Sequence, residues 1–240
     1  MKKIDILAIG AHPDDVELGC AGTIAKEISN GKKVGIVDLT RGELGTRGDS
    51  KTRDTESNNA AKLLGVEFRD NLDFSDCFFT NDKNHQIKLV EIIRKYRPDV
   101  IIGNAVQDRH IDHSKAAKLI TDACFLSGLK KIVTKHDSKT QDPWRPLNVY
   151  HYIQWNNNKP DFVVDISDFI KNKLDAVMCY KSQFYDPNDD KSENTPISTK
   201  NFLDSIEYRA RDLGRLTGVE YAEGFNALRI PVVEHISDLK

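Results

Sequence analysis

The stretch that most constrains this chain is residues 4–20, IDILAIGAHPDDVELGC, where a short apolar run breaks at Pro13 and three acids open a helical pattern. The run does not alternate, so it suits a strand covered on both faces, as a central strand of a parallel sheet is. Beyond it, Val16, Cys20, Ile24 and Ile28 recur at helical spacing, and Asn30-Gly31 supplies a stop. The turn between strand and helix therefore carries His12, Asp14 and Asp15 to one end of a sheet.

The same unit recurs along the chain. Residues 33–39 predict a second strand, followed by the Gly- and charge-rich loop TRGELGTRGDSKTR. A helix is expected over 52–64, a short strand over 66–69, and a helix over 86–96 that closes before Pro98. DVIIG at 99–103 reads as another buried strand, and after the polar stretch NAVQDRHIDH a helix runs from about residue 114 to 127. Strands are expected at 148–154 and 162–166, helices at 170–180 and 201–213, and a closing strand at 227–233; residues 186–200 read as a loop. Alternating strands and helices imply an α/β fold: one Rossmann-like three-layer domain over residues 1–240 with a mostly parallel central sheet. In such sheets ligands bind beyond the carboxyl ends of the strands, so loops 11–15, 40–53 and 104–113 should share one rim.

Composition excludes some functions. Thirty-five Lys and Arg nearly cancel 37 Asp and Glu, which gives no broad basic surface for nucleic acid. No apolar run approaches the roughly 20 residues of a membrane-spanning helix. Cys20, Cys77, Cys124 and Cys179 lie far apart with no C-x-x-C pair, which fits reduced thiols in the cytoplasm.

Two polar clusters carry chemistry. In His12-Pro13-Asp14-Asp15, Asp14 with Glu17 three residues on resembles a capping box, and capping alone would account for the acids. It does not account for a His at the strand end. A turn after Pro13 can swing Asp15 beside His12, leaving Asp14 as a free acid. In His110-Ile111-Asp112-His113, Asp112 is again a candidate cap. On a shared rim, however, His12, Asp15 and His113 form a two-His, one-carboxylate set, the pattern of a catalytic metal site with open positions. His110 and Asp112 then remain to donate a proton or brace an oxyanion.

A-H-P-D-D near the start and H-x-D-H about a hundred residues later together resemble the zinc-dependent N-acetylglucosaminyl deacetylases of the LmbE/PIG-L type. TRGELGTRG, Arg53 with Glu56, Arg109 before His110, and GVEYAEGF at 218–225 are similar to the bacillithiol-biosynthesis branch, which removes acetate from N-acetylglucosaminyl malate. The resemblance implies that His12, Asp15 and His113 bind Zn2+, with Fe2+ or another divalent ion as the cellular alternative. It implies Asp14 as general base and His110, oriented by Asp112, as electrophilic or acid partner. Arg53 and Arg109 are expected to anchor a substrate carboxylate through their planar forks; the alternative is that each pairs with a nearby acid. Glu43 and Arg47 have weaker claims, and His85, His136, His151 and His235 lack metal-like spacing. An aromatic hydroxyl on a loop assists in such enzymes, and Tyr185 with residues 186–200 is the nearest candidate. A GlcNAc-type small molecule is the expected partner, and a homo-oligomer the expected assembly.

Three other readings compete. One is deacetylation of a different GlcNAc substrate, such as a chitooligosaccharide or antibiotic precursor. Another is a non-haem Fe(II) oxygenase, which uses the same ligand types. The third, a non-catalytic sugar or nucleotide module, suffers from an acidic turn where a G-x-G-x-x-G loop would cradle phosphate.

Overall fold

The computed structural model describes residues 3–188 and 193–238. Five strands, β1 (Ile6–Gly10), β2 (Val34–Thr40), β3 (Phe68–Phe74), β4 (Val100–Gly103) and β7 (Asn148–Tyr152), lie parallel in the order β3-β2-β1-β4-β7. Two antiparallel strands, β9 (Ala222–Ala227) and β8 (Phe162–Asp165), extend the sheet beyond β7. This is the expected three-layer α/β architecture with a mostly parallel seven-stranded sheet.

Strand β1 shows why its run is continuous. Leu7 and Ile9 face a core formed with α3 (Lys83–Tyr96) and α4 (Ile111–Ser127). Ile6 and Ala8 face the opposite core, formed with α1 (Asp15–Ser29), α2 (Ser50–Leu64) and α5 (Ile170–Val177). Both faces of the strand are dry, so neither carries a polar residue. Helix α6 (Lys200–Thr217) packs against β9 and α5.

Helix α1 is broken within its first half. Cys20 has φ −150° and ψ 21°, so the ladder is interrupted there. One buried ion pair satisfies groups on both sides of the break. Lys173 Nζ donates to the carbonyls of Glu17 (3.3 Å) and Leu18 (2.7 Å). The Glu223 carboxylate accepts from the amides of Gly22 (3.1 Å) and Thr23 (2.7 Å) and lies 2.6 Å from Lys173 Nζ. A side chain inserted into the ladder is a recognised cause of a kink, and here it fixes the direction of the turn that bears Asp14 and Asp15. The neighbouring Gly19 is required by contact: a Cβ there would overlap the Tyr152 ring.

Several boundaries differ from the sequence reading. Helix α4 begins at Ile111 rather than near 114, because His110 adopts an extended conformation (φ −77°, ψ 131°) and caps it in place of Asp112. Strand β3 continues to Phe74, its polar residues being only partly buried at the sheet edge. The closing strand is 222–227 rather than 227–233: Glu223 is the buried counterion to Lys173, and residues beyond 227 leave the sheet. A small hairpin, β5 (Lys135–His136) with β6 (Lys139–Thr140), has no counterpart in the sequence reading. Of the loop expected at 186–200, residues 189–192 lie outside the described residues.

Candidate functional site

The order of strands reverses between β1 and β4: the chain proceeds outward from β1 through β2 and β3, then returns to β4 on the other side. Ligand crevices form at such switch points. The loops after β1 and β4 carry the two His-Asp clusters, and the loops after β2, β3 and β7 close around them in a cavity of about 350 Å³.

Asp15 is the centre of the cluster. Its Oδ2 accepts from the His12 amide (2.9 Å) and from Asn104 Nδ2 (3.0 Å), and it lies 3.3 Å from His12 Nδ1. Its Oδ1 accepts from Gln154 Nε2 (2.7 Å) and lies 3.1 Å from His113 Nε2. The trio His12, Asp15 and His113 is thus assembled and buried. His113 Nδ1 is held by Asp108 Oδ2 at 2.7 Å, so that Nε2 is directed at Asp15. A carboxylate on the outer nitrogen is how metal-binding histidines are oriented. His110 stands beside them, with its ring centroid 4.6 Å from that of His12 and 5.2 Å from that of His113.

The capping explanation for the first cluster does not hold. Asp14 precedes α1 with φ 107°, a left-handed conformation rare for a residue with a side chain, and makes no side-chain cap bond. Glu17 is turned to Arg69 Nη1 at 2.5 Å. Asp14 instead lies 3.2 Å from Arg53 Nη2, and Arg53 also donates to the Pro13 carbonyl. Both contacts are made by Nη2, while Nε has no hydrogen-bond partner among the described residues, so Arg53 steadies the turn after β1 and still lines the cavity. The expectation that Asp112 orients His110 also changes in detail. It is the Asp112 amide, not its carboxylate, that meets His110 Nδ1 (3.3 Å). The carboxylate faces His12 Nε2 (3.2 Å), the Cys77 amide (2.8 Å) and Lys115 Nζ (2.7 Å). Arg109 lies at the mouth, its guanidinium 4.4 Å from the Trp155 ring centroid.

Asp76, which carries no motif, was missed. Its Oδ1 lies 3.1 Å from His12 Nε2, its Oδ2 accepts from the Leu44 amide at 3.0 Å, and its own amide donates to Glu43 Oε1 at 2.7 Å. Position after β3 on the shared rim was the only available clue. Trp155, Gln154 and the α6 residues of the cavity were missed for the same reason. Tyr185 is not among the cavity-lining residues, whereas Thr195, Pro196 and Ile197 are. His151 serves the fold, with Nδ1 2.7 Å from the Asn104 carbonyl.

The electrostatics describe a cation-seeking site. Burial alone would lower the pKa of His12, but the Asp15 charge and hydrogen bonds to Asp112, Asp15 and Asp76 raise it well above 6.5. Burial likewise opposes, and Asp15 and Asp108 overcome it, to bring His113 to about 9. Burial lifts Asp14 to about 7 against the opposing charge of Arg53. His110 is lowered by burial and by its two neighbouring imidazoles. Surplus carboxylates around two buried imidazoles are the donor chemistry of a divalent N/O site. Among the described residues, the ligand atoms that come within 4.8 Å of one another are those of His12, His110 and His113 and those of His12, Asp76 and Asp112; Asp15 belongs to neither group and touches the His12 and His113 imidazoles through different oxygens.

Comparison with known proteins gives the family. The PIG-L family, described as GlcNAc-PI de-N-acetylase, matches residues 7–124, the span that holds both His-Asp clusters. Diacetylchitobiose deacetylase from Thermococcus kodakarensis is 31% identical over 229 residues, 91% of this chain and 81% of that protein. The crystal structure of the conserved protein TT1542 from Thermus thermophilus is similar at TM-score 0.85 and 34% identity, over 96% of this chain and 97% of that one. N,N'-diacetylchitobiose deacetylase from Pyrococcus horikoshii follows at TM-score 0.77 and 25% identity, over 93% and 83%. Similarity of this extent, in sequence and in backbone, makes the chain a member of the PIG-L (LmbE-like) deacetylase family.

Proposed function

We propose that this protein is a Zn2+-dependent hydrolase that removes the N-acetyl group from an N-acetylglucosaminyl conjugate, with N-acetylglucosaminyl malate as its substrate. The observation that carries the reading is the buried trio His12, Asp15 and His113 with a second acid, Asp14, held beside it in a strained turn. An oxygenase triad has no use for that extra acid, whereas amide hydrolysis needs a base for water.

His12, Asp15 and His113 would hold the ion, which when bound supplies Lewis acidity toward the acetamide carbonyl and toward water. Asp14 takes a proton from the attacking water and, once protonated, returns it to the departing sugar amine. Water adds to the carbonyl carbon, the C–N bond breaks, and acetate and a free amine leave. His110 receives the Asp112 amide on Nδ1, which fixes that nitrogen as the unprotonated one and puts its proton on Nε2. A neutral imidazole N–H of that kind is suited to donate to the oxyanion. Arg109 is assigned to a substrate carboxylate at the mouth.

The wider setting is proposed on the same footing: a one-domain cytoplasmic enzyme that works as a homo-oligomer. Free cysteines, two of them buried, support the reducing compartment. The C-terminal arm supports self-association, with Ile230, Val232 and Ile236 exposed at 93%, 92% and 88%. Among the described residues no helix is long and apolar enough to cross a membrane.

The deciding assay measures acetate release from N-acetylglucosaminyl malate, diacetylchitobiose and GlcNAc, with metal removed and restored and oxygen monitored. Metal-dependent acetate release without oxygen uptake is expected. Oxygen-dependent turnover, or no acetate from any of the three, overturns the reading.

A further inference from the structure

Four arginines line the cavity, and they are not equivalent. Arg53 reaches Asp14 and the Pro13 carbonyl through Nη2, and Arg47 has a partner of its own. Arg109 lies over Trp155 at the mouth. Arg209 is different again. It sits on α6 among Phe202, Ile206, Ala210 and Leu213, the stripe that this helix turns to the cavity, and it is the one charged residue in that stripe.

Among the described residues the Arg209 guanidinium makes no hydrogen bond and no ion pair, although the side chain is half-buried. Asp108 acts on it through space but has no capacity to spare. Its oxygens already accept from His113 Nδ1 and from the amides of Arg109, Trp155 and Asn156. A guanidinium facing a cavity with no protein partner is free to meet a ligand, and its planar fork is shaped for a carboxylate or phosphate. The same lining carries an aromatic pair. The Phe202 and Trp155 rings stack at 5.3 Å and 18°, and Arg109 covers the Trp155 ring. Phe202 comes from α6 and Trp155 from the loop after β7, and both line the same cavity as Asp14.

We propose that Arg209, with Arg109, forms the aglycone subsite of this enzyme and selects substrates that carry a carboxylate on the aglycone, which lies along the Trp155–Phe202 stack. The proposal rests on the deacetylase reading and names a specificity residue that neither the family motifs nor the sequence spacing marked. Arg209 acts on binding, not on the acetamide, so its removal should act through KM.

The test uses the metal-loaded protein and two N-acetylglucosaminyl glycosides that differ only in the aglycone, one a free carboxylate and the other its methyl ester. The wild-type enzyme is expected to favour the acid in kcat/KM. Arg209→Gln should cut the acid-to-ester ratio of kcat/KM by about 10- to 100-fold, almost wholly through KM of the acid. Arg209→Lys, which keeps the charge and loses the fork, should fall between the two and also serves if the Gln variant folds poorly. Titration calorimetry with the acidic glycoside reads the same loss as a weaker Kd, independent of turnover. An unchanged ratio with an unchanged Kd overturns the subsite while leaving the deacetylase intact. Absence of acetate release from every glycoside defeats the deacetylase reading instead, and the calorimetric comparison then judges Arg209 alone.

Discussion

Arg53 Nη2 lies 3.2 Å from Asp14 Oδ2 while the same guanidinium donates to the carbonyl of Pro13, so one side chain from α2 ties down both the acid and the backbone of the turn that bears it. The turn is held at φ 107° for Asp14, a conformation that survives only where its surroundings over-determine it. Both partners are buried, so each is the principal compensation for the other's charge.

Breaking that pair from one side should therefore be harsher than removing it. Arg53→Met is expected to destabilise the protein by about 3–5 kcal/mol, because it strands a buried carboxylate. Asp14→Asn combined with Arg53→Met should cost less than the sum of the singles, and a denaturant double-mutant cycle gives that coupling directly. Additive effects would show that the two groups do not compensate each other.

Asp14→Asn alone tests the chemistry. The variant should fold and bind metal, yet lose about 10²–10⁴ in kcat, the range for loss of a general base. Near-normal kcat with metal bound would remove Asp14 from its role.

Metal binding should appear in stability as well as in activity. Zn2+ added to chelator-stripped protein at a thousandfold excess over Kd should stabilise it by about 4 kcal/mol. His113→Ala, which deletes one imidazole of the trio, should abolish most of that rise in Tm. A full shift in His113→Ala would move the ligand assignment to His12, Asp76 and Asp112, which also bring ligand atoms together.

The buried pair Lys173–Glu223 should matter beyond its own contact, since it satisfies donors and acceptors freed by the kink at Cys20. Glu223→Ala is expected to cost about 3–5 kcal/mol, read by chemical denaturation. A loss below about 1 kcal/mol would mean that the kink repairs itself as regular helix.

A pH dependence follows from a carboxylate outside the cavity lining. Asp82 caps α3, and its hydrogen bonds with Thr80 and the amides of His85 and Asn84 hold its pKa below 3.8. A depressed folded pKa gives stability that is complete above about pH 4 and fades as pH falls toward the folded value. Asp82→Ala should lower Tm by about 2–4 °C at pH 7, with the gap to wild type narrowing below about pH 4. A gap independent of pH would assign the loss to something other than the charged cap.

Much of the architecture was open to reading because it is repeated locally. The run at 6–10 is apolar throughout because both faces of β1 are covered, and α1 follows from a 3.6-residue period that needs no knowledge of its partners. The end of the chain was harder. In GVEYAEGF the strand begins at Ala222, where a buried Glu would ordinarily argue against one, and only the amides of a helix 200 residues away explain that Glu.

By itself the sequence determined the α/β layout, the shared rim, and the pairing of His12 and Asp15 with His113, because residues at strand ends in a parallel sheet converge whatever the loops between them do. Tertiary structure decided which charges are paired. Arg53 is paired with Asp14, the Asp112 carboxylate with His12 and Lys115, and Asp76 with the first cluster, while Arg209 faces the cavity with no partner among the described residues. Such pairings depend on distances of about 3 Å between segments tens of residues apart, and no local pattern records them.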